Sequence, residues 1–333
     1  MVIRKMVIHG IGNMPPQKVL ILTHGDTDGV CAAAIAKTAY PDAKVEFTIA
    51  GELLSKLRGV SGWYNRLIIL DLRPNKEEIE EVKRVLAEIS KTCRIIYIDH
   101  HPFPKGVKQR DLAACDVVVH RTNTCTSELA LEFFKPPSSH EFIGVLGAIG
   151  DYQDKTPHMK KLIEKYSARK CYPEAVVYLD QVLRVVDGSI KLKVMGELAR
   201  GKWPHEIPLA KEQANKVLKQ QRIIENHIRD KCRRICTRAL FVGDVPFEAS
   251  GFAADLLVEL GAEIGIAGYK MGRYLHVSAR RRWGSDVRVN DMMLACASAV
   301  GGGGGGHVGA SGGKIPANKL EDFLKLVRRH LCG

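Results

Sequence analysis

The stretch VLILTHGDTDGV, residues 19–30, joins an apolar run to a turn that carries one histidine and two aspartates. The apolar run predicts a buried strand, and the helical pattern of residues 29–40 follows it directly. Side chains alternate along such a turn, so His24, Asp26 and Asp28 can point the same way. The two glycines of the turn permit a tight change of direction. The stretch therefore predicts a strand, a turn with polar side chains and a helix.

The same alternation of strand and helix continues to about residue 120. Further strands are predicted at residues 45–49, 67–72, 94–98 and 117–120, and helices at residues 51–57 and 76–90. Strands separated by helices form right-handed βαβ units. We therefore expect an α/β fold built on a doubly wound, mostly parallel sheet.

The pattern changes after residue 125. Helices are predicted at residues 126–134, 141–149, 159–168 and 175–186, and a longer polar helix runs from residue 209 to about residue 234. Strands resume at residues 238–242, 264–269 and 274–279, with helices at 252–260 and 319–332. This order predicts a first domain over residues 1–190, a helical linker over 191–237 and a smaller α/β domain over 238–333.

The composition of the 333 residues is that of a folded protein of about two domains, at roughly 150 residues per domain. With 45% hydrophobic and 26% charged residues, disorder, collagen and bundled membrane spans are excluded. The opening MVIRKMVIHG stops before a signal-peptide core can form, so we expect a cytoplasmic protein. Nine cysteines without a Cys-x-x-Cys pair indicate neither a disulfide framework nor a zinc knuckle, and we expect buried thiols.

The net charge of +13 is unevenly distributed along the chain. Residues 156–240, which we call the basic segment, carry 19 basic and 9 acidic side chains. Such a segment favours a polyanionic partner such as nucleic acid. The alternative is a solvated helix surface, which charge by itself does not exclude.

Carboxylates and histidines recur where the predicted strands end. The strand at 67–72 ends in Asp71, the strand at 94–98 runs into Asp99-His100-His101, and Asp151 follows an apolar helix. Open parallel sheets bind their ligands at the carboxyl ends of their strands. Each residue singly could cap a helix or satisfy a local hydrogen bond, but their recurrence favours a metal site.

The ligand types suggest which metal this site binds. Aspartate and histidine without cysteine point away from structural zinc and toward manganese or magnesium. Several acids in one crevice repel each other unless cations lie among them, which favours two metals. A two-metal centre activates a water and clamps the oxygens of a phosphoryl group.

A run of six glycines precedes His307 in the predicted second domain. On composition it is a flexible linker; alternatively its backbone N–H groups form a nest that binds phosphate. It follows a predicted helix instead of a strand, so a dinucleotide-binding fingerprint is rejected. Upstream, the strand at 274–279 runs into Arg280, whose guanidinium offers phosphate a bidentate fork.

Asp99-His100-His101, with HGDTDG at residues 24–29, Asp71 and GAIGD at residues 147–151, resembles the four-motif set of the DHH phosphoesterases. That superfamily includes RecJ-type exonucleases, oligoribonucleases, cyclic-dinucleotide phosphodiesterases and manganese-dependent pyrophosphatases. The resemblance implies these metal ligands: His24, Asp26, Asp28, Asp71, His100 and Asp151. It also implies that Asp71 bridges two cations, that His101 faces the substrate phosphate, and that Asp71, Asp99 and His101 are catalytic. His24 departs from some members, because it stands two residues before the first aspartate, as in archaeal RecJ-like sequences, instead of four.

The second domain resembles the DHH-associated substrate-binding domain. The resemblance rests on Ser278-Ala279-Arg280 and on the GGGGH-x-x-A-S-G-G pattern at residues 303–313. It implies that substrate is bound by Arg280, Gly304, Gly305, Gly306 and His307. The pattern weighs against the inorganic pyrophosphatase branch, whose second domain lacks it.

Together these features predict a phosphodiesterase that requires two divalent cations, Mn²⁺ or Mg²⁺. We expect it to hydrolyse single-stranded RNA or DNA, or short oligonucleotides, from an end to nucleoside monophosphates. Hydrolysis of cyclic dinucleotides such as cyclic di-AMP is an alternative, and a catalytically inactive RecJ-like scaffold subunit of a replication or repair complex is another. The sequence leaves open the polarity, the RNA or DNA preference, the substrate length and the oligomeric state, a homodimer included.

Overall fold

The structure is a computed structural model that describes residues 18–60 and 62–333. The chain divides between Asn215 and Lys216 into two compact units. The opening residues, where no signal-peptide core was expected, lie outside the described part. Among the described helices, none has the length and apolar character that crossing a bilayer requires. The domain boundaries expected near residues 190 and 237 remain predictions.

The first unit is built on a five-stranded sheet. Its strands are β1 (Val19–His24), β2 (Lys44–Thr48), β3 (Arg66–Leu70), β4 (Arg94–Asp99) and β5 (Val117–His120). They lie in the order β2-β1-β3-β4-β5, and every neighbouring pair is parallel. This arrangement confirms the predicted α/β fold class.

Helices cover both faces of this sheet. They are α1 (Thr27–Ala39), α2 (Leu53–Arg58), α3 (Ile79–Ile89), α4 (Thr126–Phe134), α5 (Phe142–Gly150), α6 (Pro157–Tyr166), α7 (Ala168–Pro173), α8 (Gln181–Val185) and α9 (Gly188–Ala199). A further helix, α10 (Pro208–Lys231), crosses the boundary between the units.

The alternation of side chains along the strands explains why helices pack on both faces of the sheet. Ile21 and Ile68 pack with α1, α4 and α5 on one face, whereas Leu20 and Leu67 pack with α2 and α3 on the other. Successive strand residues point to opposite faces, so a strand that is buried on both must be apolar throughout. That is the pattern of β1, whose first five residues are buried.

The strand order reverses direction at β1. The chain goes from β1 to β2 on one side and then to β3 on the other side of β1. At such a switch point the connections leave in opposite directions and open a crevice at the carboxyl ends of the strands. The residues that follow β1 and β3 therefore lie at the position where this fold class binds ligands.

Two predicted elements differ from the structure in a way that matters for the site. The third strand ends at Leu70, not at residue 72, because Asp71 has a left-handed backbone with φ of 58°. The helix predicted at residues 175–186 begins as a π-helical segment, Glu174–Asp180, and only then becomes α8.

The second unit holds a six-stranded sheet. Its elements are β6 (Arg233–Arg234), β7 (Ala239–Val242), α11 (Ser250–Glu259), β8 (Ile264–Met271), β9 (Tyr274–Arg281), α12 (Val289–Ala299), β10 (Gly303–Gly306), β11 (Ala310–Pro316) and α13 (Leu320–Cys332). The order is β10-β11-β9-β8-β7-β6, and only β7 and β8 pair in parallel. This mixed sheet with its helices, in the smaller of the two units, confirms the predicted α/β second domain.

The glycine run is a strand, so the flexible-linker alternative is wrong for Gly303–Gly306. The run forms the edge strand β10 and pairs antiparallel with β11. Its composition follows from close packing, because a Cβ at Gly304 would lie 2.7 Å from Cγ of Met293 on α12.

The expectation that all cysteines are thiols is wrong for one pair. Cys236 and Cys332 form a disulfide with a Cα–Cα distance of 6.7 Å. The two residues lie 96 positions apart, and only the packing of α13 brings them together, so their spacing could not indicate it. The other seven cysteines are free; six of them are buried and Cys232 is partly exposed.

Candidate active site

The first candidate ligands lie where β1 passes into α1. His24 is the last residue of β1, and Asp26 is the N-cap of α1, where its carboxylate accepts a hydrogen bond from the Gly29 amide at 3.0 Å. An aspartate at this position satisfies a helix amide that has no partner within the helix. Asp28 follows in the first turn of α1, and its carboxylate is buried. The local sequence thus places three polar side chains at the switch point of the sheet.

Asp71 lies at the centre of the cluster. Its left-handed backbone ends β3, and its amide donates to the carbonyl of Ile98 on β4 at 3.0 Å. Its carboxylate is 1% exposed. A non-glycine residue in this conformation is strained, and such strain concentrates at functional sites.

The two carboxylate oxygens of Asp71 face two different groups of ligands. Asp71 Oδ2 lies 3.8 Å from His24 Nδ1, which in turn lies 2.8 Å from Asp26 Oδ2. Asp71 Oδ1 lies 3.5 Å from His100 Nε2, which lies 3.5 Å from Asp151 Oδ2.

Each group forms a compact triad. The ligand atoms of His24, Asp26 and Asp71 lie within 4.8 Å of one another, and so do those of Asp28, His100 and Asp151. Asp71 belongs to the first triad and touches the second. The structure therefore brings together all six residues that the sequence singled out as metal ligands.

Three buried atoms of the cluster have no hydrogen-bond partner. They are Oδ2 of Asp71, Nε2 of His100 and Oδ2 of Asp151. Buried polar atoms are normally paired, and each exception requires an explanation. Oxygen and nitrogen atoms that converge without donors between them fit divalent cations, so the donor set suits Mn²⁺ or Mg²⁺.

Burial and the repulsion between neighbouring acids shift the pKa values of the carboxyl groups. Burial, with the charges of Asp28 and Asp26, raises the pKa of Asp71 well above its ordinary value. The same causes raise the pKa of Asp151 to about 8. Bound cations would remove this repulsion, because an adjacent positive charge favours the ionised form.

The pKa values of Asp26 and Asp28 shift in opposite directions. Burial acts to raise the pKa of Asp26, but the hydrogen bond and charge of His24 and the Gly29 amide lower it to about 2. Burial raises the pKa of Asp28, although His100 and the Ser127 amide partly oppose the shift. Asp26 is therefore ionised without a metal. The ionised form of Asp28 is opposed by burial and favoured by His100 and Ser127.

Asp99 lies behind His101. Its Oδ1 accepts from the Nδ1 of His101 at 2.9 Å and from the His101 amide at 3.3 Å, and its Oδ2 lies 2.9 Å from the Tyr97 hydroxyl. The hydrogen bond and charge of Asp99 raise the pKa of His101. This pairing leaves Nε2 of His101 for another partner. The catalytic role of Asp99 stays a prediction.

The sequence reasoning missed two residues that hold the acids in place. The amides of Thr126 and Ser127, at the start of α4, donate to the two oxygens of Asp28 at 2.7 and 2.8 Å. The Thr126 hydroxyl also donates to Oδ1 of Asp71 at 3.0 Å. The sequence did contain a signal for this contact, because Thr126-Ser127 begins a predicted helix after a strand of the sheet. The N-terminus of a helix binds anions, here the carboxylate of Asp28.

A lysine inside the predicted linker also reaches the site. Lys191 on α9 donates from Nζ to the carbonyl of Gly25 at 2.5 Å. Burial lowers the pKa of Lys191, and the charge of Asp26 partly opposes that shift. This ammonium group adds positive charge beside the turn between β1 and α1.

Apart from His101 in the first unit, the predicted substrate-binding residues belong to the second unit. Arg280 lies near the end of β9, with Nε 3.3 Å from Oδ1 of Asp255. His307 follows β10; its amide donates to the carbonyl of Ala310 at 2.8 Å, and its carbonyl accepts from the amide of Ala310 at 3.3 Å. Antiparallel pairs alternate along a ladder, so the backbone groups of Gly304 and Gly306 point to the open edge of the sheet. That edge offers N–H donors to a ligand.

Comparisons with known proteins agree with this arrangement. The family model of the DHH family, N-terminal domain, matches residues 18–163, and the model of the DHHA1 domain matches residues 241–331. No sequence among the curated proteins matches the chain significantly.

Several solved structures share the fold. The DHH domain of a member of a ribosomal-protein family has a TM-score of 0.65 at 18% identity, over 95% of this chain and 87% of that one. The pGpG-specific phosphodiesterase PggH of Vibrio cholerae has a TM-score of 0.62 at 14% identity, over 94% and 98%. RecJ of Thermus thermophilus in complex with Mn²⁺ has a TM-score of 0.59 at 15% identity, over 95% and 52%, and RecJ was also solved with Mg²⁺.

Proposed function

Because the chain belongs to the DHH superfamily of phosphoesterases, with a DHHA1 domain at residues 241–331, we propose that it hydrolyses single-stranded nucleic acid or short oligonucleotides from an end. The products are nucleoside monophosphates. The family assignment confirms the resemblance inferred from the motifs. The observation that carries the proposal is the position of Asp71, which touches two ligand triads with its two carboxylate oxygens.

Two divalent cations, Mn²⁺ or Mg²⁺, are the proposed cofactors. Their proposed ligands are His24, Asp26, Asp28, Asp71, His100 and Asp151. When bound, two such ions activate a water and neutralise charge on a phosphoryl group. The oxygen and nitrogen donors of the triads support this choice, and so do the Mn²⁺ and Mg²⁺ complexes of RecJ.

His101 acts on the substrate phosphate in this proposal. The bond from Nδ1 to Asp99 fixes the ring and favours the protonated imidazole, because it raises the pKa of His101. Nε2 then donates a hydrogen bond to a non-bridging phosphate oxygen, where negative charge grows as the water attacks. Asp99 acts through His101 as a positioning residue.

The remaining substrate contacts are assigned to the second unit. The Arg280 guanidinium holds a phosphate, and the edge of β10 with His307 holds phosphate or sugar. The open-edge N–H groups of Gly304 and Gly306 support this assignment, because backbone donors without side chains allow a phosphate to approach closely. The basic segment favours an oligomer over a small cyclic substrate, since it attracts a longer polyanion.

A digestion panel tests the proposed function. The protein is incubated with Mn²⁺ and a dinucleotide, a longer RNA, single-stranded DNA or cyclic di-AMP, and the products are resolved. We expect nucleoside monophosphates from the linear substrates. Asp71→Ala serves as the control and should abolish turnover with either metal, because the first triad loses a ligand and the second triad loses the carboxylate oxygen that lies next to His100. Cleavage of cyclic di-AMP alone would favour the cyclic-dinucleotide alternative, and cleavage of none would favour the scaffold.

A further inference from the structure

Tyr152, which follows Asp151 at the end of α5, has an unusual combination of conformation and exposure. Its backbone φ is 59°, in the left-handed region, and the residue is 80% exposed. Glycine is the usual residue in that region, because a side chain there strains the backbone. A bulky residue with positive φ is a genuine exception.

The conformation itself is required by the way α5 ends. The Tyr152 amide donates to the carbonyl of Ile149 at 3.2 Å, and the Gln153 amide donates to that of Ala148 at 2.8 Å. This pair of bonds is the Schellman motif, in which the left-handed residue is most often glycine. The motif turns the chain at the position where Asp151 must join His100. A glycine would serve the turn equally well, so the turn does not explain the tyrosine.

Packing does not explain the tyrosine either. A ring that is 80% exposed buries little apolar surface, so it returns little stability for the strained backbone. When a strained residue is not stabilised by its own contacts, the observed strain points to a function. For an exposed aromatic ring next to a phosphoester site, that function is a contact with the substrate.

The neighbours of Tyr152 indicate which part of a substrate it meets. The preceding residue, Asp151, places Oδ2 3.5 Å from Nε2 of His100, inside the proposed metal centre. The following residue, Gln153, lines a cavity of about 590 Å³ together with Asn123, Arg121 and Lys155. Amide side chains such as Asn123 and Gln153 pair with the edges of bases, which carry both donors and acceptors.

From these observations we propose that Tyr152 forms a nucleobase subsite beside the metal centre. Its ring stacks on the base of the nucleotide whose phosphate lies at the metal centre that includes Asp151. The amide side chains of Asn123 and Gln153 are the polar groups that can bind the edge of that base. Stacking on an aromatic ring accepts every base, so the subsite selects nucleotides from other phosphoesters without selecting a sequence. The inference rests on the proposed function, because it requires a nucleotide phosphate at the metal centre.

Binding measurements with and without a base test the subsite. Calorimetry is performed in Mn²⁺ with AMP and with ribose 5-phosphate, which lacks the base, on the wild type, Tyr152→Gly and Tyr152→Phe. We expect Tyr152→Gly to weaken AMP binding by about tenfold, because the base loses its stacking partner. Ribose 5-phosphate should bind all three proteins equally, and Tyr152→Phe should bind AMP as the wild type does.

A second measurement separates stacking from damage to the fold. Glycine relieves the backbone strain, so the melting temperature of Tyr152→Gly should equal or exceed that of the wild type. Equal AMP affinity in Tyr152→Gly and the wild type would overturn the proposal, and so would an equal loss for both ligands, which would assign Tyr152 to the placement of Asp151. If the wild type binds AMP through Tyr152 but cleaves no diester, the proposed function fails and the subsite stands.

Discussion

Thr126 supports two proposed ligands at once, since its hydroxyl donates to Asp71 and its amide to Asp28. We expect Thr126→Val, which keeps the shape and the amide but loses the hydroxyl, to weaken Mn²⁺ binding by about 10- to 100-fold. This is the usual effect of removing a partner that orients a metal ligand. The measurement is a calorimetric titration with Mn²⁺, accompanied by turnover of a dinucleotide.

Thr126→Ser is the matched control for this prediction. Serine retains the hydroxyl at the same position in the helix, so Mn²⁺ affinity and turnover should return to near the wild-type values. Wild-type affinity in Thr126→Val would show that Asp71 does not depend on this bond.

Asp151 connects the metal centre to the pH dependence of stability. Burial and the charges of Asp28 and Asp26 raise its pKa from 3.8 to about 8, so the folded protein retains a proton that the unfolded chain releases. Without metal, this group therefore lowers stability progressively as pH rises from 3.8 to about 8, while below 3.8 it has no effect.

The test is thermal melting of metal-free wild type and metal-free Asp151→Asn across a pH series. The melting temperature of the wild type relative to the variant should fall over that interval, and added Mn²⁺ should remove the fall. A constant difference at every pH would mean that Asp151 titrates as an ordinary aspartate.

At the scale of the element, strand β10 shows how two neighbouring glycines serve different purposes. A Cβ at Gly304 would lie 2.7 Å from Met293 Cγ and 3.0 Å from the Gly312 carbonyl oxygen, whereas a Cβ at Gly305 would meet nothing within 4 Å. We expect Gly304→Ala to destabilise the protein by about 1–3 kcal/mol, the usual cost of overpacking. Chemical denaturation measures the effect, with Gly305→Ala as the matched control.

Gly305→Ala should leave the free energy of unfolding unchanged or slightly raised, because alanine reduces the freedom of the unfolded chain. It then tests substrate contact without disturbing the fold. A higher KM for an oligonucleotide at unchanged stability would support a substrate lying against this face of β10. Equal destabilisation by the two substitutions would contradict the packing argument for Gly304.

At the scale of the whole molecule, the basic segment of residues 156–240 distinguishes a strand-binding protein from one that binds only small ligands. If its side chains contact a bound strand, counterions are released, and the slope of log affinity against log salt steepens by about 0.7 per phosphate. We expect a steep slope for a longer single strand and a shallow one for a dinucleotide. Binding is measured across a salt series with Asp71→Ala, so that the ligands are not hydrolysed.

Equal slopes for the two ligands would mean that the basic segment is a solvated surface. The hypothesis of a dinucleotide- or cyclic-dinucleotide-specific enzyme would then take first place. Because the segment includes helices of the first unit and all of α10, this experiment concerns the charge of a long segment and not one contact.

The sequence by itself determined the sheet and the meeting of the acids. Strands that are apolar throughout, separated by helices, predict a parallel sheet, and parallel strands end at one edge. His24, Asp71 and His100 therefore had to meet once the strands were identified, because His24 ends β1 and the other two directly follow the ends of β3 and β4. Local patterns suffice wherever the geometry of an element dictates the direction of the chain.

Only the tertiary structure decided the contacts that join distant segments. The bond from Thr126 to Asp71 spans 55 residues and the disulfide from Cys236 to Cys332 spans 96, and neither separation has a periodicity that sequence reasoning can detect. The glycine run became a strand because β11 and Met293 surround it, although its composition favours a flexible chain. The strain at Tyr152 likewise became visible only as a backbone angle. In each case packing between elements overrides or completes the local preference, since the free energy of burial depends on neighbours that the chain brings from far away.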